Sequence, residues 1–161
     1  MLNKKQLVNI IVSELTQERQ KAIYAAHEAH AAAVDDQSVA ETQYDTLAIE
    51  AGYLAEGQSK RVSEFQHAID AYQALNINAV DEKSNVSLGA LVQLAADRDA
   101  KHWFFIGPAA GGFRCKLAGH NITVITPQSP MGQALLGRQQ DDDIEIILGA
   151  NKRADYIALL S

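Results

Sequence analysis

The chain has 161 residues, 47% of them hydrophobic, enough for one ordinary domain or two small ones with a real core, which excludes wholesale disorder. Its formal charge of −6 opposes a broad basic surface for nucleic acid, and its one cysteine, Cys115, excludes an internal disulfide or a cysteine-rich zinc site. The longest uncharged run, residues 117–137, is interrupted by polar residues and prolines, and no charged leader with an apolar core opens the sequence, so the expectation is a soluble cytoplasmic protein with no membrane partner.

Residues 1–75 carry eleven acids against six bases, whereas residues 76–161 carry nine against eight. Between Ala22 and Ser59 there is no Lys or Arg, yet there are seven acids: Glu28, Asp35, Asp36, Glu41, Asp45, Glu50 and Glu56. Lysines four residues from these glutamates would have stabilised a helix, so their omission points to a purpose beyond folding.

From Leu2 to Leu75 there is no proline, and apolar residues recur at three and four, which predicts helix. Leu7, Ile10, Ile11, Leu15, Ala22, Ala25, Ala29 and Ala32 form one stripe. Leu47, Ala51, Leu54, Gln58, Val62, Phe65, Ile69 and Tyr72 form a second. Asp35-Asp36-Gln37-Ser38 separates them as a polar turn, and Ser38-Val39-Ala40-Glu41 has the form of a capping box that would start the second helix. The reading is an antiparallel helical hairpin over residues 1–76, with an acidic tip near 35–41 and arms of about 45 Å at 1.5 Å per residue. His27 and His30 have a spacing that suits a metal, but no third ligand accompanies them.

After Leu75 short apolar runs alternate with glycine and Asn/Asp signals, which predicts strands over Val86–Leu94, Trp103–Ile106, Phe113–Leu117, Ile122–Ile125, Ile144–Leu148 and Tyr156–Leu160. Gly111-Gly112, His120-Asn121 and Gly149-Ala150-Asn151 read as connections. In Ser129-Pro130-Met131-Gly132-Gln133-Ala134-Leu135-Leu136-Gly137, serine caps a short helix, proline opens it and glycine ends it. Residues 77–161 are thus expected to be a small domain with one antiparallel sheet and one short helix, making the whole chain α+β. Trp103 and Phe104 read as core residues.

The stretch ITVITPQSPMGQALLGRQQDDDIEI with the later DYIALL resembles the FKBP-like carboxy-terminal domain of the bacterial Gre transcript-cleavage factors, most specifically in SPMGQALLGR. QYDTLAIEAGYLAEGQSKRV resembles the second coiled-coil helix of that family, which usually opens with an acidic tip and an ENAEYD-like phrase. The resemblance implies a coiled-coil hairpin that enters the secondary channel of RNA polymerase, with a docking segment at Ser129, Pro130, Gly132, Leu135 and Gly137. It further implies tip carboxylates acting at the polymerase active centre, with Asp36 and Glu41 sharing the polymerase Mg2+ and Asp35 and Asp45 as electrostatic support. On this reading the protein is a monomer with no catalytic activity or cofactor of its own, and it meets nucleic acid only within the polymerase complex. Carboxylate oxygens are hard ligands suited to magnesium.

The tip departs from the family pattern. Aligned on Tyr44-Asp45 without a gap, Gln37 and Ala40 stand where a cleavage-competent factor carries its acidic pair; one extra turn residue brings Asp36 to the first acidic position and leaves Glu41 as the nearest candidate for the second. Two alternatives follow: a channel occupant that competes with cleavage factors without stimulating cleavage, and a structural coiled-coil adaptor pairing through Leu47, Leu54 and Phe65. Prolyl isomerisation is disfavoured, because likeness of fold does not transfer activity.

Overall fold

A computed structural model describes residues 2–33, 46–77 and 84–161. Helix α1 spans Lys4–Ala33 and helix α2 spans Thr46–Gln73. Asn3 caps α1: its side-chain oxygen accepts from the Gln6 amide at 3.1 Å while its carbonyl accepts the first helical bond from Leu7. The expected turn at Asp35–Ser38 and the capping box that ends at Glu41 lie outside the described residues.

The chain divides into two compact units, Val12–Asp70 and Met1–Ile11 with Ala71–Ser161. The change in sequence texture at 76–77 follows the end of α2, whereas the units divide within the helices. In the helical unit Leu15, Ala22 and Ala29 are buried at steps of seven, together with Ile69. Arg19 donates to the Gln66 side chain, which in turn donates to Asp70 at 2.8 Å, so α1 and α2 lie side by side at that level. The stripes hold only partly: Leu54 of the second stripe and Ala32 of the first are exposed. Periodicity finds the apolar face of a helix but not whether a neighbour is broad enough to cover it, and an alanine-rich arm covers little.

In the sheet unit, β1 (Leu91–Leu94), β2 (His102–Ile106), β3 (Arg114–Leu117), β4 (His120–Ile125), β5 (Asp143–Leu148) and β6 (Asn151–Leu160) form one sheet in the order β3-β4-β2-β1-β6-β5. All neighbours are antiparallel except β2 and β4. The sheet is thus mostly antiparallel, as expected, and the turn after β3 explains its one parallel pair. Ala118 and Gly119, with φ of 50° and 82°, close a two-residue connection of the kind whose twist matches a tight hairpin. The β3–β4 pair therefore enters the sheet as a unit, and β4, not β3, takes the place beside β2. The connection expected at His120-Asn121 falls two residues earlier, and both residues belong to β4.

One face of the sheet carries Val92, Leu94, Ile106, Ile125, Ile144, Ile146, Ile157 and Leu160, closed by Leu135 of helix α3 (Pro130–Leu135). Helix α3 forms as its sequence dictates. The Ser129 hydroxyl accepts from the Gly132 amide at 3.0 Å, Pro130 occupies the first turn, and Gly137 takes φ of 78°. On the other face Leu91, Phe105, Ile122 and Val124 are buried, as are Leu7, Val8, Ile11 and Tyr72 from the helix ends. Tyr72 fixes this packing: its hydroxyl donates to the Ala109 carbonyl at 2.7 Å and, with Val124, fills the space a Cβ on Gly107 would need. Burial holds the Tyr72 hydroxyl well above the usual tyrosine pKa.

Candidate functional site

The tip residues Asp35, Asp36, Glu41 and Asp45 lie outside the described residues, and with them the question of whether carboxylates meet at a magnesium position. Around them, the described ends of the two helices keep the character that the sequence gives them. Glu28, Glu50 and Glu56 are exposed, and so are Tyr24, Ile49, Tyr53 and Leu54, four large apolar side chains each more than half accessible to solvent. His27 and His30 are exposed on α1, and no group of three metal-ligating side chains occurs among the described residues.

The expected docking segment is held from within. Gly132 is buried against the chain at 126–127; a Cβ there would meet the Thr126 carbonyl oxygen and come within 3.0 Å of the Pro127 Cα. Leu135 is fully buried in the core, and the Ser129 hydroxyl both donates to the Thr126 carbonyl at 2.7 Å and caps the helix. Only Pro130 and Gly137 of the five are exposed. The conspicuous SPMGQALLGR pattern thus encodes a packed corner that presents Pro130, Gln133 and Arg138 around a cleft of about 180 Å³ shared with Glu145 and Ile147.

Sequence reasoning passed over the far end of the sheet. There the face that is core beneath α3 becomes an open cleft of about 390 Å³, lined by His102, Arg114, Cys115, Lys116, Asn121, Ile122 and Thr123. Strand pairing aligns Lys116, Asn121 and His102 across β3, β4 and β2, and Arg114, Thr123 and Phe104 in the next row. His102 stacks on Phe104 with ring centroids 4.6 Å apart and shares a 2.8 Å hydrogen bond between its Nε2 and the Thr123 hydroxyl. Asp97 accepts from the His102 amide at 2.6 Å. The cleft continues toward a second of about 310 Å³ lined by Phe104, Met131 and Arg153, whose guanidinium pairs with Asp155 at 3.2 Å. Burial raises the Cys115 thiol pKa, which leaves it a poor nucleophile. The signal for this cleft was present as the alternation of Arg114 and Lys116 with Cys115 and Leu117 before a turn.

Together these features define an α+β protein with, among the described residues, two long helices, a six-stranded, mostly antiparallel sheet and one short helix. Among solved structures the chain is similar to the transcription factor Gfh1, at 18% identity over 92% of each chain with a TM-score of 0.38. It is likewise similar to the GreA factor homolog 1 (Gfh1) of Thermus thermophilus, at 19% identity over 93% of this chain and 94% of that one, TM-score 0.36. For Thermus aquaticus Gfh1 the values are 18%, 92% of each chain and 0.33. No family model and no curated protein matches the chain. No helix among the described residues is long and apolar enough to cross a membrane.

Proposed function

We propose that this protein is a Gre-related transcription factor that binds RNA polymerase and inserts its acidic helical hairpin into the secondary channel, acting on elongation and on transcript cleavage in backtracked complexes. The observation that carries the reading is the SPMGQALLGR segment standing downstream of two long helices, with no Lys or Arg from Ala22 to Ser59. The catalytic machinery in this reading belongs to the polymerase. This chain has no activity alone; Asp36 and Glu41 contribute carboxylates beside the polymerase Mg2+, while Asp35 and Asp45 add negative charge. Exposed Glu28, Glu50 and Glu56 extend that charge along the helices, complementing a basic channel wall.

Cleavage of a defined backtracked complex, with and without the protein, tests the reading. Stimulation that falls at least about tenfold in Asp36→Ala and Glu41→Ala is expected. Failure to retain core polymerase in a low-salt pull-down would overturn it. A second reading, a channel occupant that blocks cleavage factors, is favoured by Gln37 and Ala40 at the ungapped positions of the acidic pair. It predicts binding with inhibition of factor-stimulated cleavage, and it fails if cleavage accelerates.

A further inference from the structure

We infer that the outer edge of β3 is a docking site for an extended acidic peptide, which adds to the sheet as a seventh strand. Strand β3 ends the sheet order, and among the described residues no strand pairs with its outer side. The register then decides which residues face outward. Leu117 and His120 flank the two-residue turn, and the bond from the Val124 amide to the Phe113 carbonyl continues the ladder two pairs beyond Cys115 and Ile122. In an antiparallel hairpin, bonded and non-bonded pairs alternate, so residues 115 and 117 direct their main-chain groups, and Phe113 its carbonyl, at β4, while the Phe113 amide turns back to the Ala110 carbonyl. Arg114 and Lys116 therefore direct their N–H and C=O groups away from the sheet, available to another chain.

These same two residues carry the positive charge. Neither makes an ion pair among the described residues, and both line the open cleft with His102 and Thr123. An incoming strand that hydrogen-bonds Arg114 and Lys116 places the side chains opposite them on the cleft face, two residues apart. Main-chain bonds supply affinity and the alternate side chains supply selectivity, as in other cases of strand addition. The chemistry matched is a segment with Asp or Glu at positions i and i+2 and no proline at the bonding positions. Nucleic acid fits less well, because it cannot use the main-chain groups of the edge and the chain as a whole is acidic. Edge strands bearing lysine or arginine are commonly protected against pairing with themselves, and a partner of opposite charge removes that protection.

The test is fluorescence anisotropy of the full chain with a labelled eight-residue peptide of alternating glutamate and valine. Three comparison probes accompany it: the same peptide N-methylated at alternate amides in either register, an alternating lysine–valine peptide, and an eight-nucleotide single-stranded RNA. Saturable binding of the glutamate peptide is expected, weakened about tenfold by the double charge reversal R114E/K116E. Binding should be lost with whichever N-methylated peptide blocks the ladder. Lys116→Pro, which removes an outward amide at a position that edge strands tolerate, should weaken binding while far-UV circular dichroism stays unchanged. Absence of binding at low salt overturns the inference. So does equal binding of both N-methylated peptides, which would leave only an anion-attracting patch, or stronger binding by the RNA. Because no polymerase enters the assay, its outcome is independent of the proposed function.

Discussion

Glycine stands inside a helix in both units, under opposite constraints. In the sheet unit, Gly132 of α3 lies so close to the chain at Thr126 and Pro127 that no Cβ fits. In the helical unit, Gly52 and Gly57 of α2 meet, among the described residues, nothing within 4 Å of where a Cβ would stand beyond their own helix backbone. The sheet unit is specified by shape, through interlocking volume around Leu135 and the Thr126 turn. The helical unit is specified by propensity and a narrow seam of Leu15, Ala22, Ala29 and Ile69, leaving Tyr24, Tyr53 and Leu54 in water. One kind of substitution should therefore change sign between them.

The largest effect is expected at Gly132→Ala, which should destabilise the protein by about 4 kcal/mol or prevent folding, since the obstructing atoms are backbone. Urea unfolding measures this; a cost under about 1 kcal/mol would break the contrast. Next, Leu135→Ala should cost about 3 kcal/mol by opening a cavity, while Leu54→Ala, predicted from periodicity to be equally apolar and found exposed, should stay within about 0.5 kcal/mol.

A smaller effect, of about 1 kcal/mol at neutral pH, is expected for Tyr72→Phe, which leaves the Ala109 carbonyl without its donor. This variant also has a pH signature. Above about pH 10 the unfolded chain releases its tyrosine proton first, while the folded state retains it on Tyr72. Stability from this group is complete below that pH and declines as pH rises toward the folded-state pKa. Denaturation midpoints measured between pH 9 and 11 should fall less steeply in Tyr72→Phe than in the parent protein. Smallest, and opposite in sign, Gly52→Ala and Gly57→Ala should each stabilise by about 0.5–1 kcal/mol, read as a rise in Tm. A loss there would mean that something contacts that face of α2.

Elements governed by local rules were legible in the sequence. The serine cap, proline and closing glycine of α3 stand where Ser129, Pro130 and Gly137 place them, and all six predicted strands exist with shifted ends. What escaped depended on contacts between distant residues. Val86 lies before β1, bonded to the chain at Gly137 and Arg138 and not in the strand ladder expected for it. The parallel placement of β4 follows from a turn at Ala118-Gly119 that lacks the usual asparagine–glycine signal. Arg114 and Lys116 looked like ordinary strand residues until the strand order put them at an edge. The resemblance singled out Gly132 and Leu135 for docking, and both are buried, a consequence of packing that their place in the sequence pattern does not reveal.

The only tryptophan, Trp103, sits on β2 with its ring edge-on to His120, centroids 6.4 Å apart. It makes the sheet unit optically separable from the helical one. Tryptophan emission follows the melting of the sheet unit alone, whereas helical ellipticity is dominated by α1 and α2. Coincident transitions by the two signals would mean that the molecule unfolds as a single cooperative body; separated ones would give each unit its own stability.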